Sequence, residues 1–347
     1  MKAAKNSKKT ALVIGAGSFG TAMAQVLTHH FDRVIIKVRS IDIYEELKNG
    51  ENKTYLAGAT ISSQIVPALT WEEVDTLCDD RLSLIVSALP SSGIAEYFKD
   101  HYDRFLQYFI SQIPLLSLSK GIDPLTLDLS DDIFFEIFPQ FKDLICFLSG
   151  PSFAKEIMLN QITIVTLAGR SKKVLETVAQ HLNTDYFKVL PSYDIKGVLL
   201  GGALKNILAI SGGIVEGLGY NHNTRAALIT RGIAEMLRFG KVFNARPETF
   251  YGMSGMGDLI LTTTGDLSRN KSFGLEIAKG RKAAEIMKDA RFVVEGYKTT
   301  EAAHLLSLKY DIKAQIFSGT YEVLYQNKDP RDIIKNLMLS PSKFEID

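Results

Sequence analysis

Cysteine is nearly absent: Cys78 and Cys146 are the only two among 347 residues. Two thiols cannot make the disulfide framework of a small secreted domain, and no CxxC or mixed Cys/His spacing offers zinc a ligand set. A reducing, cytoplasmic setting fits. Net charge is nearly absent too. With 40 basic against 39 acidic side chains the formal charge is +1, so no global field draws the chain to nucleic acid or anionic lipid, and any anion specificity has to come from local sites. Small molecules are the expected partners. The six histidines, His29, His30, His101, His181, His222 and His304, show no metal-ligand spacing and read as surface or packing residues; no metal is expected. The basic start MKAAKNSKKT leads straight into a strand-like stretch and lacks the apolar core of a signal peptide. Internal repeats and low-complexity tracts are missing as well.

What the chain has in quantity is apolar sequence. At 46% hydrophobic and 23% charged residues, its length suffices for two ordinary cores. Short β-branched runs at Ala11–Ile14, Arg33–Val38, Leu82–Leu89, Leu115–Leu118 and Ile145–Leu148 alternate with amphipathic segments, the pattern of a parallel sheet covered by helices. In such sheets ligands gather beyond the carboxyl ends of the strands. After a last run near Tyr186–Leu190 the strand signals stop and helical periodicity continues to about Leu339. The fold class expected is therefore α/β: an N-terminal doubly wound Rossmann-type domain over residues 1–191, then an all-helical domain over residues 192–347.

The first strand run enters GAGSFG, with Gly15, Gly17 and Gly20 spaced as GxGxxG before a helical segment. Gly15 allows the tight turn, Gly17 lets the backbone approach a pyrophosphate, and Gly20 lets helix pack on strand while the N–H groups of the helix start face the anion. A glycine-rich turn without ligand is the plain alternative, and the position between strand and helix argues against it. About twenty residues beyond such a loop an NAD-specific site carries an acidic residue. Here the second strand ends Lys37-Val38-Arg39-Ser40. Arg39 is suited to stack on adenine and pair with a 2′-phosphate, so NADP(H) is expected in preference to NAD(H). The alternative is an exposed strand-end arginine.

Further polar residues fall at strand ends. Lys120 sits beside a glycine after one strand, where it suits an anionic substrate or the cofactor, or else snorkels from an edge. Gly150, Ser152 and Ala154 follow the next, and Ser152 alone reads more simply as a cap for a helix beginning near Phe153. In the helical half, GGALKNILAISGG places Lys205 in an apolar run. A membrane span would carry a central lysine only at a cost of about 2.5–3.5 kcal/mol, and the glycines argue for close packing inside protein. A lysine so placed needs a partner or a task. Asp258, in the apolar MGDLIL segment, equally needs a cation. The two are natural partners, as an acid–base group held by a carboxylate or as a structural ion pair. Ser268, Arg269 and Asn270 open another helix with a hydroxyl, a guanidinium fork and an amide, suited to a phosphate, or else forming a plain cap with a surface arginine.

These segments carry a resemblance across nearly the whole chain. GAGSFGTAMA, NKTYLAG, LSLSKGID, SGPSFAKE, GALKN, NTRAALITRGIAEM, MGDLILTTT, LSRNKSFG and VVEGYKTTEA occur in the order found in the NAD(P)-dependent sn-glycerol-3-phosphate dehydrogenases of the soluble bacterial type. The resemblance implies a 6-phosphogluconate-dehydrogenase-like architecture, a cytoplasmic homodimer, and reversible reduction of dihydroxyacetone phosphate in the supply of phospholipid precursors. It implies that Lys205 exchanges the proton, assisted by Lys120 and Asp258, and that Lys120, Gly150, Ser152, Lys205, Asp258, Ser268, Arg269 and Asn270 line the substrate. It implies dinucleotide contacts from Ser18, Phe19, Arg39, Lys120, Ala154, Arg269, Val293 and Glu295, beside the three glycines. Two facing lysines would each depress the other's proton affinity. One departure stands out: the family's NxxYLPG-like loop usually holds proline where this chain has Thr54 and Ala57. Two rival readings remain at this point, a β-hydroxyacid or sugar-acid dehydrogenase of the same layout and a dinucleotide sensor without turnover.

Overall fold

The structure is a computed structural model that describes residues 9–78, 81–289 and 294–339. Contacts divide it into two units, one built from the described residues up to Lys120 together with Leu129–Leu199, the other from Gly121–Asp128 together with those from Leu200 onward. The sheet ends close to the expected boundary at residue 191. The division between units falls later, inside the helix Ile195–Gly217, and the short segment Gly121–Asp128 sides with the second unit.

The first unit is built on eight strands: β1 Thr10–Ile14, β2 Arg33–Lys37, β3 Ile65–Ala68, β4 Leu82–Ser87, β5 Leu115–Ser117, β6 Ile145–Ser149, β7 Thr163–Ala168 and β8 Phe187–Ser192. Their order is β3-β2-β1-β4-β5-β6-β7-β8. Every neighbouring pair is parallel except β6 and β7. The chain steps outward from β1 to β3 and returns beside β1 as β4, so the order reverses between β1 and β4, the place where doubly wound sheets bind ligands. All five residues of β1 are buried. Because successive side chains of a strand face opposite ways, both faces of the sheet are covered here.

Two strands are absent from the sequence reading. β3 is only four residues long and contains Pro67; it is tolerated at the sheet's edge, where a missing N–H breaks no second ladder. β7 runs antiparallel to β6, a departure from the all-parallel pattern that no local signal announces. The strand expected over residues 82–89 ends at Ser87.

Among the described residues no strand follows Ser192, and the second unit is helical. Its longest helix, Ile195–Gly217, is the one described helix long and apolar enough to cross a membrane, and its apolar window is wholly buried in protein. The glycines answer for that burial. A Cβ on Gly274 would lie 2.1 Å from the Ile210 carbonyl oxygen, and one on Gly213 would lie 2.1 Å from that of Lys271. The helix Arg269–Ala278 therefore meets the long helix backbone to backbone, which only glycine permits.

A buried carboxylate ties this unit together. Glu235, on the helix His222–Val242 and 3% exposed, accepts hydrogen bonds from Ile316 N at 2.9 Å and Phe317 N at 3.1 Å, in the first turn of the helix Gln315–Gln326. Burial pushes its carboxyl up to about 7, against the opposing pull of those donors and of Arg238 and Arg231. The folded protein therefore binds this proton more tightly than the unfolded chain does. Stability from this source is present below the ordinary carboxylate range and declines as pH rises towards 7. Asp131, pushed up to about 6 mainly by burial, has the same sign. The denaturation midpoint should fall between pH 5 and pH 7.5, and Glu235→Gln should flatten that slope without abolishing it. An unchanged slope in the variant would assign the dependence to other groups.

Candidate active site

In the first unit the turn between β1 and the helix Ser18–Leu27 takes its shape from its glycines. Gly15 has φ +102°, a left-handed conformation, and donates its N–H to the Lys37 carbonyl at 3.0 Å. A Cβ at Gly20 would stand 2.2 Å from the Gly15 oxygen, whereas one at Gly17 would meet nothing within 4 Å. Gly17 occupies the cap position, so no side chain competes for the N–H groups of Ser18 and Phe19 at the helix start. An open backbone edge with free-facing amides is what a dinucleotide pyrophosphate needs. The turn fits the cofactor. Arg39 lies exposed just past β2, and the second strand has no carboxylate at its tip.

A buttress behind this turn escaped the sequence reading. Asn52, fully buried, donates its amide N–H groups to the Ala16 carbonyl at 3.0 Å and Thr21 Oγ1 at 2.8 Å, and its Oδ1 accepts from Tyr55 N at 3.2 Å. One side chain thus caps the helical turn Lys53–Leu56 and pins it to the glycine turn. Thr54 donates both its hydroxyl and its N–H to Glu46, at 2.7 and 3.0 Å. The loop is fixed without proline.

On the same unit the Gly150 carbonyl gathers two donors, Lys120 Nζ at 3.1 Å and Ser152 Oγ at 2.9 Å. Lys120 also stands over the Phe19 ring, 5.7 Å from its centroid. The expectation that Ser152 caps a helix needs correction: the helix is Ala154–Met158, Phe153 occupies its cap position in an extended conformation, and the Ser152 hydroxyl turns back to Gly150. Ala154 is that helix's first residue and packs on the core.

The second unit holds the buried charges. Lys205 Nζ lies 2.8 Å from Asp258 Oδ1 and 2.9 Å from Thr262 Oγ1, with the two ion-pair side chains 10% and 2% exposed. Thr262 was not anticipated, although it stands four residues after Asp258 and hence on the same face of the helix Asp258–Thr264. A single π-type turn, Met253–Gly257, feeds into that helix and sets the direction of Asp258. The ammonium is held on two sides while its charge is balanced by a carboxylate shut off from water. Such a group can deliver a proton to an oxygen that gains charge beside it.

Ser268 is the cap of the helix Arg269–Ala278, its hydroxyl accepting from Lys271 N at 3.2 Å, and Arg269 is exposed at the first position. Asn270 has two partners within its own unit. Its Nδ2 donates to Asn206 Oδ1 at 2.9 Å and its Oδ1 accepts from Gly296 N at 3.1 Å. Asn206, next to Lys205 and 4% exposed, was another omission. Glu295, half-buried, opens the helix Glu295–Lys309. Val293 lies outside the described residues.

Comparison with known proteins decides the family. Residues 10–175 match the profile of the NAD-dependent glycerol-3-phosphate dehydrogenase N-terminus, and residues 194–335 match that of the corresponding C-terminus. The chain belongs to the NAD-dependent glycerol-3-phosphate dehydrogenase family. A member from Citrifermentans bemidjiense, glycerol-3-phosphate dehydrogenase (NAD(P)+), is 41% identical over 96% of this chain and 98% of its own length. One of the same name from Myxococcus xanthus is 39% identical over 96% and 98%. The crystal structure of glycerol-3-phosphate dehydrogenase from Coxiella burnetii superposes with a TM-score of 0.86 at 29% identity, covering 96% of this chain and 99% of that one. Family membership agrees with the eight-stranded, mostly parallel sheet followed by helices.

Proposed function

We propose that the protein reversibly reduces dihydroxyacetone phosphate to sn-glycerol 3-phosphate, using NADPH in preference to NADH, as a cytoplasmic homodimer that supplies glycerophospholipid synthesis. Residues 1–191 serve the dinucleotide and residues 192–347 the substrate chemistry. The observation that carries the reading is the buried Lys205 ammonium clamped by Asp258 and Thr262 in a chain of this family. A bound reduced nicotinamide supplies the hydride that C2 of the ketone accepts. As that carbon is reduced its oxygen gains negative charge, and Lys205 gives it a proton; in the oxidative direction Lys205 takes the proton back. Asp258 and Thr262 keep the ammonium aimed. Lys120, steadied by the Gly150 carbonyl, adds a cation for the substrate or the dinucleotide, and Ser152 holds the same carbonyl in place. Ser268 and Arg269 take the phosphate, with Asn270 bracing the helix start through Asn206 and Gly296. Arg39 supports the NADPH preference, its fork being matched to a 2′-phosphate. Ser18, Phe19, Ala154, Val293 and Glu295 complete the dinucleotide contacts.

The test is an absorbance assay with NADPH and NADH in turn, each against dihydroxyacetone phosphate, dihydroxyacetone and a β-ketoacid. A kcat/KM for the phosphorylated ketone far above that for dihydroxyacetone or the β-ketoacid, and faster turnover with NADPH, are expected. Equal turnover of the unphosphorylated ketone or of the β-ketoacid would reject the substrate assignment; cofactor binding without turnover would leave only a sensor.

A further inference from the structure

Lys271 stands two residues beyond Arg269, yet it is 3% exposed. Its ammonium has three protons, and three acceptors stand around it: the Thr264 carbonyl at 3.3 Å, Asp266 Oδ1 at 3.0 Å and Glu216 Oε2 at 3.2 Å. An ammonium so occupied has nothing left for a substrate. What it does hold is the connection from Thr264 to Ser268, which delivers Ser268 and Arg269 to the start of their helix. Asp266 is 96% exposed on that connection, while Glu216 lies near the end of the long helix and also pairs with Arg225. The buried lysine therefore fastens an exposed loop to the unit's central helix. It also cancels carboxylate charge next to the place where a phosphate is to be held.

Resting on the reading that Ser268 and Arg269 bind the substrate's phosphate, we infer that Lys271 is a positioning residue that sets phosphate affinity through the Thr264–Ser268 loop without touching the substrate. Lys271→Met removes the three contacts and leaves Asp266 and Glu216 repelling the dianion. Misplacement of a binding group by about an ångström costs up to about 10²-fold, so kcat/KM for dihydroxyacetone phosphate should fall tenfold to a hundredfold, chiefly through KM. Lys271→Arg keeps the charge and the donors and should recover most of it.

The decisive measurement sets dihydroxyacetone phosphate against dihydroxyacetone at saturating NADPH, with thermal melting in parallel. The phosphorylated ketone alone should suffer in Lys271→Met, and Asp266→Ala, an exposed change that releases the same loop without disturbing the core, should raise its KM in the same direction by less. Equal losses on both ketones, or an unchanged KM for dihydroxyacetone phosphate in Asp266→Ala and in folded Lys271→Met, would overturn the inference. A native protein indifferent to the phosphate would instead remove the reading beneath it.

Discussion

Lys205→Met will lower kcat for dihydroxyacetone phosphate by about 10²–10⁴-fold, the usual worth of a positioned general acid, while NADPH binding followed by its fluorescence stays at the native level. Methionine keeps most of the lysine stem's volume and lacks the proton. The substitution also strands Asp258, whose side chain is 2% exposed, and breaking a buried pair from one side costs about 3–5 kcal/mol. Loss of activity must therefore be separated from loss of fold. Adding Asp258→Asn removes the stranded charge, and the amide can still accept from Thr262, whose hydroxyl lies 3.2 Å from Asp258 Oδ1. The double variant should regain much of the melting temperature and none of the turnover. If turnover returned together with stability, Lys205 and Asp258 would be a structural pair and the proton would come from elsewhere. Native turnover in Lys205→Met would dispose of the assignment at once.

The parts of the site legible in sequence are those whose physical demand is local or unconditional. Three glycines at that spacing between a strand and a helix prescribe one backbone path, so the turn at Gly15–Gly20 is readable residue by residue. Lys205 and Asp258 are readable for another reason: a charge set in an apolar run has to find an opposite charge, and each of the two is such a charge for the other. Asn52 and Lys271 obey no such rule. Their partners are backbone carbonyls and side chains 36 residues away for Asn52 and Ala16, or tucked behind the same turn for Lys271 and Thr264, and neither residue breaks a hydrophobic pattern. Ser152 and Asn270 were legible as polar residues at helix starts but not in their contacts. Small rotations of the chain decide whether a hydroxyl caps its helix or bonds the Gly150 carbonyl, and the Gly296 amide that engages Asn270 arrives from a distant helix. β3 and β7 were missed because proline at a sheet edge and an antiparallel partner are settled by the sheet as a whole.

Gly17→Ala and Gly20→Ala, only three residues apart, should fail in opposite ways. At Gly20 the added methyl would sit 2.2 Å from the Gly15 carbonyl oxygen and 2.8 Å from the Ala88 side chain. The first of these is backbone and cannot swing aside, so helix and strand must separate, at the roughly 1–3 kcal/mol typical of overpacking. The gain in helix propensity, about 1 kcal/mol at best, does not offset that. Melting temperature and dinucleotide affinity should fall together. Gly17 has φ −64°, which any residue adopts, and open space where its Cβ would go. Alanine there should leave stability unchanged or raise it by about 0.4–1 kcal/mol through the unfolded chain. The methyl would nevertheless occupy the edge along which the pyrophosphate approaches, and a steric cost of about 1–3 kcal/mol amounts to roughly fivefold to 150-fold in Kd. Titrating NADPH into both variants alongside their melting curves reads the two effects separately. A Gly17→Ala protein that binds the dinucleotide as tightly as the native one would mean that the phosphates lie elsewhere and that this turn serves packing alone.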